Sequence, residues 1–434
     1  MSQVYPVIIV PGITASSLRD QYQLPPDLVW SVMTKKYENI ALHPDNYRYE
    51  AREPARVRED QVFEIAYEEM ISELRHNLSE SEDRPVPVYP FAYDWRQPLG
   101  LIVSRFEAFV EEVIERTKLM KHYHQPWFLD QPRVNLVGHS MGGLIIAGYL
   151  TQNGNRKNVA KVATLGTPYR GSFEAIIKIA TGTANLGTTP PSSREREAAR
   201  ITPSLYHLLP SCDGIRVPAG VSTDIFDPSI WQPSVLDTLR EYIRLNGVFD
   251  RDPALQAQEL FGALLRDAAL QRKETDALDL AAAGLSPSDW LCVAGVDSVT
   301  RVGVEVSRDS KGFFFNFNGA DRANNWNQKV TNEEKLLTGD GTVPLKAAIP
   351  PFLKPEHVVC LSPDDFGYWE LKDRAAVNLA GFHGLMANMN VIHRLIVRHF
   401  TGAPDAYKNT WGRALPGVDP AKWAPPFDLY LKTT

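Results

Sequence analysis

Gly138-His139-Ser140-Met141-Gly142 sets a serine between two glycines, directly after the apolar run 134–137 and before the apolar run 144–150. A serine on a sharp strand-to-helix turn has the makings of a nucleophile. The turn strains the backbone, the glycines let strand and helix approach closely, and the helix N-terminus favours a developing negative charge. A serine hydroxyl reacts poorly without a base, and the base needs a carboxylate to hold its tautomer. The expected chain order after the serine is an acid and then a histidine. Thr338-Gly339-Asp340-Gly341-Thr342-Val343-Pro344 offers Asp340 on a glycine-flanked turn, with Asp297 and Asp365 as weaker competitors. His383 lies in Gly381-Phe382-His383-Gly384, where a loop position lets an imidazole reach both partners. His357, His393 and His399 read as structural, and His139 is expected to pack on the opposite side of the turn. An oxyanion hole needs two preorganised backbone amides. The Met141 amide follows the nucleophile, and Ile13 in Pro11-Gly12-Ile13-Thr14 is the expected second donor.

The elements that must position these groups alternate along the chain. The short all-apolar run 7–10 reads as a strand of a sheet covered on both faces, and 86–89, 134–137 and 159–165 read as further strands. Between them, 62–77 and 101–120 carry apolar residues three or four apart, the spacing of amphipathic helices. This succession predicts a mostly parallel, doubly wound sheet. Residues 11–60 read as a polar, proline-containing connection. The pattern changes after Tyr169: a Gly/Thr/Pro/Ser stretch at 181–193, a charged run at 194–200 and helical segments such as 254–269 replace the strands. Sheet character returns at 291–296, followed by a hairpin over 301–317, a last strand at 357–361 and a closing helix at 386–400. The expected organisation is a first core part at 1–169, a mainly helical cap insertion at 170–290 and a second core part at 291–434.

The bulk properties exclude several alternatives. The 434-residue chain is 44% hydrophobic and carries a formal charge of −6, which fits a folded globular protein and gives no reason to expect nucleic acid as a partner. Cys212, Cys292 and Cys360 have no metal-ligand spacing, so neither a metal nor a cofactor is expected. No basic, apolar leader opens the chain and no run approaches the length of a spanning helix, so the cytoplasm is the expected location, with non-classical export still open.

With these segments assembled, the chain resembles the lecithin:cholesterol acyltransferase family, as a bacterial-type relative in the lipase and acyltransferase branch of the α/β-hydrolases. The resemblance rests on Val10-Pro11-Gly12-Ile13, Tyr93-Asp94-Trp95-Arg96, the Ser140 turn with Gly143, Gly166-Thr167-Pro168, the Asp340 segment and the His383 segment. Pro203-Ser204-Leu205-Tyr206-His207-Leu208-Leu209-Pro210-Ser211 also looks like the family's cap. The resemblance implies an acyl-enzyme mechanism on lipid esters with a Ser140-Asp340-His383 triad. Tyr93 to Arg96 is read as structural support near the site. One departure is that residues 20–60 contain no cysteine, so the disulfide-held flap of secreted members does not carry over; Trp30 stands in the corresponding segment.

A lipid-ester hydrolase is therefore the leading expectation. Acyl transfer to an alcohol is the runner-up, and a catalytically inactive binding module or an enzyme for soluble esters or amides are the alternatives. The partner expected is a lipid or another hydrophobic acyl ester. Transient lipid-surface contact is expected through apolar cap residues such as Ile176, Ile177, Ile179, Phe226, Ile230 and Trp231.

Overall fold

The structure is a computed structural model that describes residues 3–33, 37–52, 55–152, 158–182, 191–249, 251–317, 322–323, 329–367, 370 and 381–432. Residues 183–190 of the Gly/Thr/Pro/Ser stretch lie outside the described residues.

In chain order the principal strands are β1 (Val7–Val10), β2 (Ser16–Asp20), β3 (Asp27–Trp30), β4 (Val57–Val62), β5 (Val88–Pro90), β6 (Val134–His139), β7 (Val159–Leu165), β8 (Trp290–Gly295), β9 (Val304–Asp309), β10 (Gly312–Asn316) and β11 (Val358–Leu361). Six of them form one sheet in the order β11-β8-β7-β6-β1-β5, and every pairing in it is parallel. Side chains of β1 alternate between two cores. Ile8 and Val10 face one apolar cluster, Val7 and Ile9 the other, and all four are buried. That two-sided burial is why these strands carry almost no polar residues. Helices α1 (Glu64–Leu78) and α9 (Asn390–Thr401) cover one face. Helices α2 (Leu99–Lys118) and α3 (Met141–Thr151) cover the other. The doubly wound parallel sheet is thus as expected.

Between β7 and β8 the described residues add no strand to this sheet. They form α4 (Phe173–Thr181), α5 (Ser193–Ile201), α6 (Pro203–His207), α7 (Pro233–Asn246) and α8 (Pro253–Asp276). A two-residue strand, Ile215–Arg216, pairs with β9 in a small separate sheet that β10 completes as a hairpin. Helix α8 is anchored to the core by Arg272, which donates to the carbonyls of Tyr169, His207 (2.9 Å) and Leu209 (3.2 Å).

Four expectations need correction. The connection 11–60 contains the three-stranded antiparallel sheet β3-β2-β4. Its strands are short, and β2 (Ser-Ser-Leu-Arg-Asp) and β4 (Val-Arg-Glu-Asp-Gln-Val) are mostly polar, so alternation is too weak to mark them. Ile176, Ile179 and Ile230 are fully buried and Trp231 nearly so, because α4 and the segment before α7 pack into the core instead of facing solvent. The closing helix starts only at Asn390, after the separate 3-10 turn Met386–Asn388. Finally, His383 sits in the single helical turn Phe382–Leu385 and not in an open loop. Among the described residues no helix is long and apolar enough to cross a membrane.

Candidate active site

The sheet brings the site together at the carboxyl ends of its strands. β6 pairs with β1 so that Gly138 lies beside Val10, which sets the Pro11-Gly12-Ile13 loop next to the Ser140 turn. Ser140 has φ 54° and ψ −127°, a left-handed conformation that costs about 1–3 kcal/mol in a non-glycine residue. Its amide donates to the Leu165 carbonyl at 2.9 Å, so β7 helps hold the strained turn. Gly142 is required by close approach, since a Cβ there would collide with the Val10 carbonyl.

His383 Nε2 lies 2.9 Å from Ser140 Oγ, and His383 Nδ1 lies 2.6 Å from Asp340 Oδ2. Asp340 is 1% exposed and His383 12%. The other Asp340 oxygen, Oδ1, accepts from the amides of Thr342 (3.0 Å) and Val343 (2.7 Å). That is the physical sense of the segment's spacing: the turn following the aspartate holds its own carboxylate. The Asp340 carbonyl accepts the His383 backbone amide at 3.0 Å, so acid and base are joined twice. Gly166, with φ 53°, lies against this pair; a Cβ would stand 2.8 Å from Asp340 Oδ2 and 3.2 Å from His383 Nδ1.

The competing residues are engaged elsewhere. Asp365 holds Lys432 at 2.7 Å, Trp411 Nε1 at 2.9 Å and the Arg413 guanidinium. Asp297 follows β8 at φ 61°, its amide bound by Thr338 Oγ1. His357, His393 and His399 each make a ring contact to a backbone carbonyl, of Ala424, Ala387 and Val162 respectively.

His139 departs from expectation. Its ring centre lies 5.1 Å from that of His383, and its Nε2 is 2.9 Å from the His383 carbonyl. Its Nδ1 is 2.7 Å from the Tyr67 hydroxyl. Burial pushes its pKa down to about 3, so the ring is neutral in ordinary buffers. Helical spacing in α1 marked Tyr67 only as a core residue. The one signal that could have singled it out is chemical: a buried phenol needs a hydrogen-bond partner.

The proposed oxyanion residues flank the serine. Met141 is the first residue of α3, where amides have no acceptor within the helix. Gly12 packs on the nucleophile, since a Cβ there would be 3.0 Å from Ser140 Cβ. The Gly12 amide is itself taken by Tyr67 Oη at 3.0 Å, which leaves Ile13 as the next amide of that loop.

Tyr93 to Arg96 braces the same loop. Tyr93 Oη donates to the Pro11 carbonyl at 2.8 Å, and Trp95 Nε1 donates to the Ser16 carbonyl at 3.2 Å. Trp30 packs edge-on against Trp95 with ring centres 5.1 Å apart. Asp94 and Arg96 form a buried two-pronged pair, both prongs 2.8 Å, and Arg96 also donates to the carbonyls of Ile40 and Val57. Burial alone would raise the Asp94 carboxyl, but the Arg96 charge and hydrogen bonds outweigh it and hold the pKa below the usual carboxylate range. The pair's contribution is therefore present above the unfolded-state pKa of about 3.9 and lost as pH falls through the lower folded value. Arg96→Met removes the lowering charge and leaves the burial, so the slope reverses. We expect the variant to lose about 3–5 kcal/mol at pH 7 and less near pH 4, where Asp94 is partly neutral. Urea midpoints at the two pH values measure this, and an equal loss at both would contradict it.

The six-stranded parallel sheet with helices on both faces is an α/β-hydrolase fold, and Ser140, His383 and Asp340 lie in one hydrogen-bonded line at the carboxyl ends of its strands. The family model of lecithin:cholesterol acyltransferase matches residues 64–232, from the start of α1 to the residue before α7, so the resemblance carried by the motifs holds over that stretch. Among solved structures, a chain in the crystal structure of the Tle4–Tli4 complex is similar over 81% of this chain and 90% of its own, with a TM-score of 0.57 at 14% identity. That likeness shows the fold. The Bacillus licheniformis lipase BlEst2 in mature form is similar at 14% identity over 47% of this chain and 54% of its own, with a TM-score of 0.25. A gene product of Listeria innocua is similar at 13% identity over 60% of this chain and 80% of its own, with a TM-score of 0.19. Neither superposes closely enough to add to the argument. No curated protein matches the chain.

Proposed function

We propose that the protein is a serine hydrolase that cleaves acyl esters of lipids through an acyl-enzyme on Ser140. The observation that carries this reading is the continuous hydrogen-bonded line from Ser140 Oγ through both nitrogens of His383 to Asp340 Oδ2. Ser140 Oγ attacks the acyl carbonyl while its proton passes to His383 Nε2. The carbonyl oxygen takes up the negative charge, facing the amides of Ile13 and Met141. His383 then gives that proton to the leaving alcohol, and the acyl group stays on Ser140. Water, deprotonated by His383, then attacks the acyl carbonyl, and His383 returns that proton to Ser140 Oγ as the bond to the acyl group breaks and the fatty acid leaves. Throughout, Asp340 accepts from Nδ1–H and stabilises the imidazolium.

In this reading residues 170–290 form a cap that governs which ester reaches Ser140. Lipid-surface contact falls to Leu245, Val248, Phe249 and Leu255 around the α7–α8 junction, each more than half exposed, in place of the buried isoleucines. The family's description as an acyltransferase favours a second reading, in which an alcohol replaces water in the last step.

A chain-length series of p-nitrophenyl esters tests the substrate class. Turnover rising toward long acyl chains is expected; activity confined to acetyl and butyryl esters would remove the lipid reading. Adding a long-chain alcohol to the same assay separates the acceptors. A new ester supports transfer, whereas free fatty acid alone supports hydrolysis. Failure of a fluorophosphonate probe to label Ser140 in folded protein would point to an inactive binding module.

A further inference from the structure

Tyr67 and His139 form a buried chain of three hydrogen bonds that the proposed chemistry does not use. It runs from the Gly12 amide to Tyr67 Oη (3.0 Å), from Tyr67 Oη to His139 Nδ1 (2.7 Å), and from His139 Nε2 to the His383 carbonyl (2.9 Å). Tyr67 is 1% exposed and His139 4%, so water does not compete.

The direction of every proton in this chain is fixed. The His383 carbonyl can only accept, so His139 Nε2 carries the hydrogen. A neutral imidazole then has a bare Nδ1, which must accept. The Tyr67 hydroxyl therefore donates to Nδ1, and its oxygen accepts from the Gly12 amide. Reversing any one bond would leave a buried group without a partner, a cost of about 1–3 kcal/mol.

We infer that Tyr67 and His139 are positioning residues that couple the oxyanion loop to the catalytic base, so that Gly12-Ile13 and His383 hold one fixed geometry around Ser140. The inference rests on the acyl-enzyme reading given above. One end of the chain consumes the Gly12 amide, which orients the peptide leading to Ile13. The other end holds the carbonyl of His383, whose backbone amide is already bound by Asp340. The base is thus gripped at its amide, its carbonyl and its ring. Neither Tyr67 nor His139 touches the reacting atoms; both act through their neighbours.

The test uses full-length protein, a p-nitrophenyl ester and active sites counted by fluorophosphonate titration. Tyr67→Phe and His139→Leu are each expected to lower kcat per titrated site about 10- to 100-fold while KM stays within about threefold, since misplacement by a fraction of an ångström acts on the transition state. Either substitution cuts the same chain, so the double variant should fall no more than about threefold below the poorer single variant. His139→Gln keeps an acceptor for Tyr67 and a donor for the His383 carbonyl, and should recover about fivefold or more over His139→Leu. A purely structural role would lower the melting temperature and the number of titratable sites, leaving kcat per site within about twofold of the original; that result, or losses that multiply in the double variant, overturns the inference. If His139→Leu does not fold, Tyr67→Phe, which fits the same space, decides alone. An unmodified protein that no probe labels would sink the acyl-enzyme reading itself, whereas labelling that Tyr67→Phe leaves at full speed sinks only the coupling.

Discussion

Ser140→Ala should lower kcat/KM on a long-chain p-nitrophenyl ester by about 10⁴- to 10⁶-fold, or about 5–8 kcal/mol of transition-state stabilisation. The size follows from what the substitution removes. Without Oγ there is no acyl-enzyme, and His383 Nε2 loses the proton donor 2.9 Å away. The residual rate comes from substrate binding and the two amides, which do not need the hydroxyl. The fold should hardly notice. Alanine keeps the Cβ, so the strain at φ 54° is the same in both proteins, and only one hydrogen bond of about 1 kcal/mol is lost. A melting temperature within a few degrees of the original, with no fluorophosphonate adduct by intact mass, is the expected pair of results. A variant that keeps activity within about tenfold would show that Ser140 is not the nucleophile.

The sheet was legible because its chemistry is monotonous. Strands buried on two faces must be mostly apolar, and β1, β8 and β11 are short apolar runs, while β6 and β7 keep that character around a few polar residues such as Asn135 and Lys161. The three candidate triad residues could be picked out because each occupies a glycine-rich turn, where a side chain is free to point away from the core. The antiparallel sheet β3-β2-β4 was not legible: β4 pairs with β2 from about 40 residues away and is held by Arg96 reaching the Val57 carbonyl, neither of which leaves a local pattern. The burial of Ile176, Ile179 and Ile230, expected to face a lipid surface, was missed for a related reason. Apolar residues at helical spacing mark a face but not what covers it, and in α4 the cover is the rest of the insertion. The Tyr67–His139 chain was hidden most deeply. Its members come from α1, β6 and a turn more than 240 residues further on, and only the closed fold sets their polar atoms at hydrogen-bond distance.

Asp340→Asn carries the second large effect, and its direction follows from the turn that holds the carboxylate. Asp340 Oδ1 accepts two backbone amides, from Thr342 and Val343. An asparagine must therefore put its carbonyl oxygen at that position, because its NH₂ group there would meet two N–H donors. The NH₂ is then forced to the Oδ2 position, 2.6 Å from His383 Nδ1, where it donates. Nδ1 becomes the acceptor and the ring hydrogen moves to Nε2. Ser140 now faces an N–H in place of a lone pair, and its proton has nowhere to go. A loss of about 10⁴-fold in kcat is expected with little change in melting temperature, since size and hydrogen-bond count are preserved. Fluorophosphonate labelling should slow in parallel, because it needs the same proton transfer. The ¹⁵N shifts of the His383 ring supply the decisive reading: protonation at Nδ1 in the original protein and at Nε2 in the variant. Activity within about tenfold of the original, or an unchanged tautomer, would mean that Asp340 does not set the state of the base.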